Sequence, residues 1–454
     1  MIFAKRALLA CGWAENVRLD IDNGRISCLS TGDGVAAQST DVQVDTLLPA
    51  LANLHSHSFQ RAMAGMTEYR MAGKDSFWTW RELMYRFTEH LTPEQIEAIA
   101  AQTFMEMQEA GYASVGEFHY IHHQPGGVPY GDVAELSNRI CAAAATTGIG
   151  LTYLPVLYSY GGAGEQDLLP GQSRFGNSVD QFVRLVERAS QAVAALPVDC
   201  TIGIAPHSLR ATSPNDLAAV LDAHRSGPVH IHTAEQPREV MEIQDWLGAR
   251  PVEWLLANQP VDERWCLIHA THMTEAETTN MARSGAVAGL CPVTEANLGD
   301  GPFNGANYFE AGGAFGVGSD SNVLISLTEE LRTLEYSQRL RDLARNVLVV
   351  GEGSVGHAIY CGAAKGGAQA MARGTGQIAN GAWADLVAID STDPSLCALK
   401  SEQLLDGLVF AAKDRVVTDV WSAGRHAVRQ GRHVDRERVT AAYREAISTL
   451  IAAI

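Results

Sequence analysis

The chain is short of positive charge. Among its 454 residues, 34 are lysine or arginine and 52 are aspartate or glutamate, which gives a net charge of −18. Such a chain repels phosphate backbones and anionic lipid surfaces, so the sequence argues against binding to nucleic acid or to a membrane. A small anionic substrate would need cationic side chains placed locally at its site.

The sequence also lacks paired cysteine motifs. Its eight cysteines are scattered, and none forms a C-x-x-C pair. We expect reduced, mostly buried thiols in a reducing compartment, because an even count in so long a chain does not indicate a disulfide framework. The apolar stretch after Lys5 and Arg6 breaks at Gly12 and Glu15, too early for a signal peptide or a membrane span. We therefore expect a cytoplasmic protein.

Both ends of the chain are predicted to form strands. Residues 1–48 alternate between apolar and polar positions around the hairpin signal Asn23-Gly24. Residues 376–454 contain the strand-like runs 384–389 and 416–421, and then a hairpin around Gly431. We expect the two ends to join in one small composite β-sandwich domain, followed by a terminal helix.

Between these ends, residues 49–375 repeat an apolar run, a polar loop and an amphipathic helix. Alternation of strands and helices predicts a parallel sheet, and eight units over roughly 320 residues predict an α/β fold, a (β/α)8 TIM barrel. Polar residues follow the carboxyl ends of the runs, where such barrels carry their chemistry. The eight runs are residues 47–54, 113–118, 150–157, 200–205, 229–232, 265–269, 286–290 and 314–318.

Four ligand-type side chains stand at the ends of these runs. His55 and His57 follow the first run, and residues two apart on a strand point to the same face. His232 ends the fifth run and Asp320 follows the eighth. Three imidazoles and one carboxylate suit one divalent borderline ion, usually zinc, with a position open for water. Each residue alone is as well explained by a buried hydrogen bond, but their recurrence at strand ends favours the metal.

Other polar residues lie near the same strand ends. Glu235 follows His232 by three residues and can face the same mouth, and His269 ends the sixth run. His230 is at least as well explained as a core histidine, and His272 as a loop residue. The two histidines at 122 and 123 stand in a loop rich in proline and glycine, and we expect them at the surface.

This series resembles the amidohydrolase superfamily. The shared marks are the H-x-H after strand one, histidines after strands five and six, an aspartate after strand eight, and the composite terminal domain with its segment 381–387. A binuclear member would need a lysine after the fourth strand, but that run continues into Ala-Pro-His207-Ser-Leu-Arg210. The resemblance therefore implies a single metal ion, as in the deaminases of adenosine, cytosine and guanine.

Longer segments resemble the formimidoylglutamate deiminases within that superfamily. The resemblance implies metal-dependent hydrolysis of N-formimino-L-glutamate to N-formyl-L-glutamate and ammonia, in histidine degradation. It also implies three catalytic roles: Asp320 accepts a proton from water, Glu235 carries a proton to the leaving nitrogen, and His269 hydrogen-bonds the attacking oxygen. The segments are residues 53–65, 79–81, 117–120, 205–210 and 232–235.

The implied substrate carries two carboxylates. Arg210 and Arg81 are the candidates to bind them, because a guanidinium matches a carboxylate with two hydrogen bonds. Gln60, Tyr120 and His207 can complete the polar contacts. Each has a structural alternative: Arg81 can simply stack on its aromatic neighbours, and Gln60 and Tyr120 can simply pack the loop.

Two other functions stay open. A mononuclear deaminase acting on a guanine-like or triazine-like heterocycle keeps the metal chemistry, but a flat ring calls for aromatic stacking rather than two arginines. A non-enzymatic scaffold that has lost its metal would be expected to lack the ligands. The aromatic-rich segment 58–90 suggests a packed lid or a subunit contact, so Arg81 can serve its own site or a neighbour's. We expect a homodimer from this segment and from the family likeness.

Overall fold

The computed structural model describes residues 1–69 and 77–453. Residues 70–76 of the predicted lid, and the last residue of the predicted C-terminal domain, lie outside the described residues. In the described part, no helix has the length and apolar character needed to cross a membrane. All eight cysteines are free, but only three are buried, which is fewer than predicted.

The strands follow the chain in order. They are β1 (Ile2–Leu9), β2 (Gly12–Asp22), β3 (Arg25–Ser30), β4 (Val42–Pro49), β5 (Leu51–Ser56), β6 (Tyr112–His119), β7 (Gly150–Leu157), β8 (Thr201–Ile202), β9 (Ala205–Pro206), β10 (Val229–Thr233), β11 (Trp265–His269), β12 (Val287–Leu290), β13 (Ala314–Val317), β14 (Leu386–Ile389), β15 (Val417–Ser422), β16 (Arg425–Arg429) and β17 (Arg432–His433).

The helices connect the strands and cover the outside of the barrel. They are α1 (Phe77–Thr88), α2 (Pro93–Glu109), α3 (Glu135–Thr147), α4 (Val179–Ala194), α5 (Pro214–Ala223), α6 (Pro237–Leu247), α7 (Pro251–Asn258), α8 (Glu275–Ser284), α9 (Pro292–Leu298), α10 (Gly305–Glu310), α11 (Leu327–Asp342), α12 (Val355–Ala370), α13 (Ser401–Phe410) and α14 (Arg436–Ile451). Short 3-10 helices occupy Ser58–Met63, Pro125–Gly127, Pro170–Gln172 and Asp414–Val416.

Eight parallel strand positions form the predicted barrel. β5, β6 and β7 pair in parallel, and β8 and β9 together occupy the fourth position beside β7. β10 to β13 form the other half, also in parallel. A parallel bridge from Ile204 to Val229 joins the halves on one side, and a bridge from Ser56 to Asp320 closes the barrel on the other. The α/β barrel prediction is confirmed.

The prediction of a single strand over residues 47–54 is wrong. The chain leaves β4 at Pro49 and enters β5 at Leu51, so the run divides between two sheets. Pro49 has no N–H with which to continue a ladder, and the N–H of Ala50 donates to the carbonyl of Asp385 at 3.1 Å. Both strands are buried where they meet, which is why their apolar sequences run together without a visible break.

Both termini contribute to one eight-stranded sheet of order β17-β16-β15-β14-β4-β1-β2-β3. β4 pairs in parallel with β1 and antiparallel with β14, so the last N-terminal strand joins the two ends of the chain. The composite terminal β domain predicted from the sequence is thereby confirmed. The predicted residue boundaries between the domains, at 48/49 and 375/376, stay a prediction.

A buried ion cluster connects this sheet to the barrel. Arg373, just after α12, bonds Asp385 through Nε at 2.6 Å and Asp199 through Nη2 at 2.8 Å. Arg425 on β16 bonds Asp199 through Nη1 at 2.7 Å. The side chains of Arg373 and both aspartates are at most 3% exposed. Arg373 and the two aspartates are therefore paired away from water, across the contact between the two parts of the fold, while the Arg425 side chain is 31% exposed.

Candidate active site

Four predicted metal ligands meet at the carboxyl end of the barrel. Nε2 of His55 lies 3.1 Å from Nε2 of His232 and 3.5 Å from Oδ1 of Asp320. Nε2 of His57 lies 3.3 Å from the same carboxylate oxygen. The closing strands bring them together, because Asp320 N–H donates to the His55 carbonyl at 3.0 Å and His57 N–H donates to the Asp320 carbonyl at 2.9 Å.

These four side chains fit one divalent cation. His57 Nδ1 lies 2.8 Å from the Phe118 carbonyl, and His232 Nδ1 lies 3.1 Å from the His207 carbonyl. Each Nδ1 therefore carries the ring proton, and each Nε2 has a lone pair free to bind a metal. Burial lowers the pKa of His55 to about 3 and lowers the pKa of His57 and His232 as well, which favours their neutral, ligating form. A tetrahedral ion with bonds of about 2.0–2.1 Å separates its ligand atoms by roughly 3.3 Å, close to the spacings observed.

Three residues at the ends of the barrel strands near this site have strained backbone conformations. Asp320 has a φ of 46° and His269 a φ of 67°, and both lie in the left-handed region that non-glycine residues avoid. Ala234, between His232 and Glu235, has a φ of 52°. Such conformations persist where the surrounding structure holds them, and they concentrate at functional sites.

Glu235 and His269 lie beside the four proposed metal ligands. Glu235 can act as an acid, and His269 can carry a positive charge. His269 Nε2 is 3.8 Å from Glu235 Oε1 and 3.8 Å from Asp320 Oδ2. Burial raises the pKa of Glu235 to about 7, so this carboxyl can hold a proton near neutral pH. Burial alone would lower the pKa of His269, but the neighbouring carboxylates outweigh it and raise that pKa to about 10. His269 can therefore donate a hydrogen bond to an oxygen that gains negative charge.

Sequence reasoning missed Glu295 in this group. Its Oε1 lies 3.2 Å from Nδ1 of His269 and accepts the backbone N–H of Cys291 at 2.9 Å. Glu295 therefore fixes which way the His269 ring faces and keeps Nε2 directed at the pocket. The available signal was position alone, because Glu295 follows the end of the seventh predicted run by five residues.

One pocket of about 550 Å³ joins these groups to the predicted substrate contacts. Gln60 and Tyr120 meet in its wall, where Gln60 Nε2 donates to the Tyr120 hydroxyl at 2.7 Å. Gln60 Oε1 is buried and has no hydrogen-bond partner within the described ranges. His207 lines the same pocket, and its Nδ1 lies 3.0 Å from the Ser208 hydroxyl.

Both predicted arginines reach this pocket. Arg210 is 6% exposed and makes no hydrogen bond with the residues that the structure describes. Its nearest charges are Glu235 at 3.6 Å and Glu239 at 4.0 Å. Arg81 stacks on the Trp78 ring, with 4.6 Å between Cζ and the ring centroid, and also lines the pocket of its own chain. The stacking and pocket interpretations of Arg81 therefore both hold.

The remaining histidines lie outside the pocket. His122 and His123 were predicted at the surface, but they are 2% and 7% exposed, and that prediction is wrong. Their Nε2 atoms lie 2.9 and 2.8 Å from the carbonyls of Val156 and Gly176, so each buried ring has one hydrogen bond. His230 is a core histidine whose Nε2 lies 2.8 Å from the Ala370 carbonyl.

Comparison with known proteins identifies the family. Residues 46–427 match the Amidohydrolase family, and residues 1–42 match the N-terminal domain of formimidoylglutamate deiminase HutF. The formimidoylglutamate deiminase of Pseudomonas aeruginosa is 49% identical over 460 residues, which covers 99% of each chain. The chain belongs to the formimidoylglutamate deiminases of the amidohydrolase family. The resemblance predicted from the sequence motifs is confirmed.

Solved structures show the same architecture for this deiminase family member. An amidohydrolase from Brucella melitensis superposes with a TM-score of 0.94 at 49% identity, and the alignment covers 99% of each chain. An adenosine deaminase from Xanthomonas campestris, solved with bound zinc, has a TM-score of 0.81 at 21% identity, with 99% of this chain and 98% of that chain covered. At that identity the second structure shows a shared fold.

Proposed function

We propose that this protein hydrolyses N-formimino-L-glutamate to N-formyl-L-glutamate and ammonia, as a step of histidine degradation. The observation that carries the proposal is Arg210, a buried guanidinium without a hydrogen bond among the described residues, next to the cation site and Glu235. A buried cation in this state has unused donors for an anionic ligand. The 49% identical relative carries the name of this activity.

We propose that His55, His57, His232 and Asp320 hold one divalent ion, with zinc as the first choice. The donor set of three neutral imidazoles and one carboxylate supports zinc over a harder ion. When bound, such an ion lowers the pKa of water from about 15.7 to about 7 and so supplies a nucleophile at neutral pH. The zinc-bound adenosine deaminase shares the fold.

Two side chains would transfer protons in this reaction, and a third would donate a hydrogen bond. Asp320 accepts the proton that the attacking water loses as its oxygen bonds the formimino carbon. Glu235, which is protonated in part at neutral pH, delivers one proton to the terminal imine nitrogen, and Asp320 passes the proton it took from water to the same nitrogen, so that the C–N bond breaks with ammonia as the leaving group. The added hydroxyl loses its own proton to Glu235 as the C=O bond of the formyl product forms, which restores both carboxyl groups. His269, held by Glu295 at 3.2 Å, donates a hydrogen bond from Nε2 to the oxygen that carries the developing charge.

The two arginines would hold the two carboxylates of the substrate. Arg210 and Arg81 both line the pocket that contains Glu235 and Asp320. Gln60, Tyr120 and His207 line the same pocket and can add hydrogen bonds. A net charge of −18 makes these local cations necessary for a dianionic substrate.

Aromatic side chains in the same pocket support a second candidate function. Six of them line it: Phe77, Trp80, Tyr85, Tyr120, Tyr158 and Phe175. This lining would also suit a flat guanine-like or triazine-like ring. Such a ring has no carboxylate for the buried Arg210 guanidinium, which is why we favour the dicarboxylate.

Ammonia release from the metal-loaded protein separates the two candidates. We expect steady release from N-formimino-L-glutamate and at least a hundredfold lower kcat/KM with guanine or an aminotriazine. N-formiminoglycine, which lacks the side-chain carboxylate, is the matched control and should react with a much higher KM. Release from the rings without release from N-formimino-L-glutamate would overturn the proposal.

We further propose that the protein is a cytoplasmic homodimer. Three exposed free thiols support a reducing compartment. The partly exposed Trp78 and Trp80 of α1 support a subunit contact, whereas Phe77, Tyr85 and Phe87 of the same helix are buried within the chain itself. Light scattering would decide the oligomeric state, with about twice the chain mass of 48.8 kDa expected. A mass equal to one chain at micromolar concentration would exclude a stable dimer.

A further inference from the structure

Glu239 is a buried carboxylate in the first turn of α6, and sequence analysis did not single it out. It is fully buried, at 0% exposure. Its Oε1 accepts the backbone N–H of Ala234 at 3.2 Å, and its Oε2 accepts the backbone N–H of Glu235 at 3.0 Å. One carboxylate therefore holds two consecutive peptide groups directly after β10.

The turn held by Glu239 contains one of the three strained positions at the site. Ala234 has a φ of 52°, a conformation that an alanine adopts at a cost in free energy. This turn directs the Glu235 side chain to within 3.8 Å of His269 and 3.6 Å of Arg210. Without an acceptor for the two N–H groups, the turn would lose its support and leave buried donors unpaired.

Glu239 also faces the guanidinium of Arg210. Its Oε2 lies 4.0 Å from Nε of Arg210, which is too long for a hydrogen bond but close for two buried charges. The carboxylate thus offsets the arginine charge while leaving the guanidinium donors free. Glu239 therefore contacts both the backbone of Glu235, the proposed proton-transfer group, and the side chain of Arg210, the proposed carboxylate-binding group.

We propose that Glu239 is a positioning residue that holds Glu235 in line for proton delivery. The inference rests on the proposed function, because it assigns Glu235 the protonation of the leaving nitrogen. The role requires a carboxylate specifically. Each of its two oxygens accepts a different N–H, whereas a glutamine offers one acceptor and would turn an NH2 group toward a second donor.

The test is steady-state kinetics of Glu239→Gln with N-formimino-L-glutamate. We expect kcat to fall by at least tenfold, because Glu235 no longer points at the reacting nitrogen. KM should stay the same or fall, because Arg210 loses a competing negative charge. A purely structural role would lower the melting temperature and the fraction of active enzyme, but it would leave kcat per folded molecule and KM unchanged.

Glu277 provides a matched control. Its Oε2 accepts the backbone N–H of Thr274 at 2.8 Å, its Oε1 accepts that of Glu253 at 3.3 Å, and it pairs with Arg250 at 2.7 Å. It is 4% exposed and does not line the proposed catalytic pocket. Glu277→Gln should lower the melting temperature as Glu239→Gln does, but keep the wild-type kcat per folded molecule.

Ala234→Gly supplies a rescue in the Glu239→Gln background. Glycine adopts a positive φ without strain, so the double variant should recover part of the lost kcat. The double variant can also be measured if Glu239→Gln alone folds poorly. A kcat of Glu239→Gln within twofold of wild type overturns this proposal alone. An equal loss of kcat in Glu277→Gln also overturns it. Wild-type enzyme that releases no ammonia overturns the proposed function and this inference with it.

Discussion

Gly318 packs directly against His55, the first of the proposed metal ligands. A Cβ atom on Gly318 would lie 2.7 Å from both the backbone nitrogen and the backbone oxygen of His55. Backbone atoms cannot give way as a flexible side chain can, so the close approach of β13 to β5 requires glycine here. Asp320 follows two residues later, and this approach brings its carboxylate to the imidazoles.

Substitution of this glycine should damage both the fold and the metal site. We expect Gly318→Ala to lower the free energy of unfolding by about 1–3 kcal/mol through overpacking, and to lower the metal content per chain. Gly131 is the control, because no atom lies within 4 Å of an added Cβ there. Urea unfolding and elemental analysis would measure the two effects. Wild-type stability together with full metal content in Gly318→Ala would contradict the close-packing argument.

Removal of the metal should abolish activity and lower stability. A ligand that binds only the folded chain stabilises it, so chelation should lower Tm, and added zinc should restore both Tm and ammonia release. We expect about one ion per chain in the wild type and less than a tenth of that in His232→Ala, because the other ligands alone bind weakly. His357→Ala, at an exposed position on α12, should retain the ion. An active, metal-free wild type would disprove the role of the cation site.

Loss of the buried guanidinium should weaken substrate capture more than turnover. We expect Arg210→Met to lower kcat/KM by about 10²–10³-fold, since one partner of a buried charge pair is worth about 3–4 kcal/mol. Arg210→Lys should recover little, because lysine cannot bind a carboxylate with a planar fork. Arg238→Met is the control, since that side chain is 59% exposed and pairs with Glu242. An unchanged kcat/KM in Arg210→Met would favour the heterocycle hypothesis.

The ion cluster between barrel and terminal sheet should matter for stability. We expect Arg373→Met to cost about 3–5 kcal/mol, because it leaves Asp199 and Asp385 with less compensation in a buried setting. Arg139 is the comparison, since its ion pairs with three glutamates are near the surface and Arg139→Met should cost at most about 1 kcal/mol. Equal losses in the two variants would show that burial does not govern the contribution.

The same cluster should make stability fall in acid. Burial by itself raises the pKa of Asp199, but Arg425 and Arg373 outweigh it and lower that pKa below its ordinary value. A carboxyl with a lowered pKa adds stability that is complete above about pH 4 and is lost as the pH falls through the folded value. Urea unfolding between pH 6 and 3 should show this decline, and Asp199→Asn should flatten it. A decline of equal size in that variant would assign the acid sensitivity to other groups.

Much of the barrel was predictable because its signals are local. Apolar runs followed by polar residues mark strand ends wherever they occur, and they correctly indicated the positions of His232, His269 and Asp320. The division of the first run between β4 and β5 was not predictable, because both strands are buried and equally apolar. The burial of His122 and His123 depends on carbonyls more than thirty residues away, at Val156 and Gly176.

The sequence by itself determined the family, the barrel and the kinds of polar side chain at the strand ends, because motifs and strand periodicity are properties of neighbouring residues. Only the tertiary structure decided which carboxylates support the site. Glu295 contacts the His269 ring, and Glu239 accepts the backbone N–H of Glu235. These contacts depend on where each strand meets its helix and on left-handed turns at Ala234 and His269. A positive φ at an alanine or a histidine is imposed by long-range packing, and no local sequence pattern encodes it.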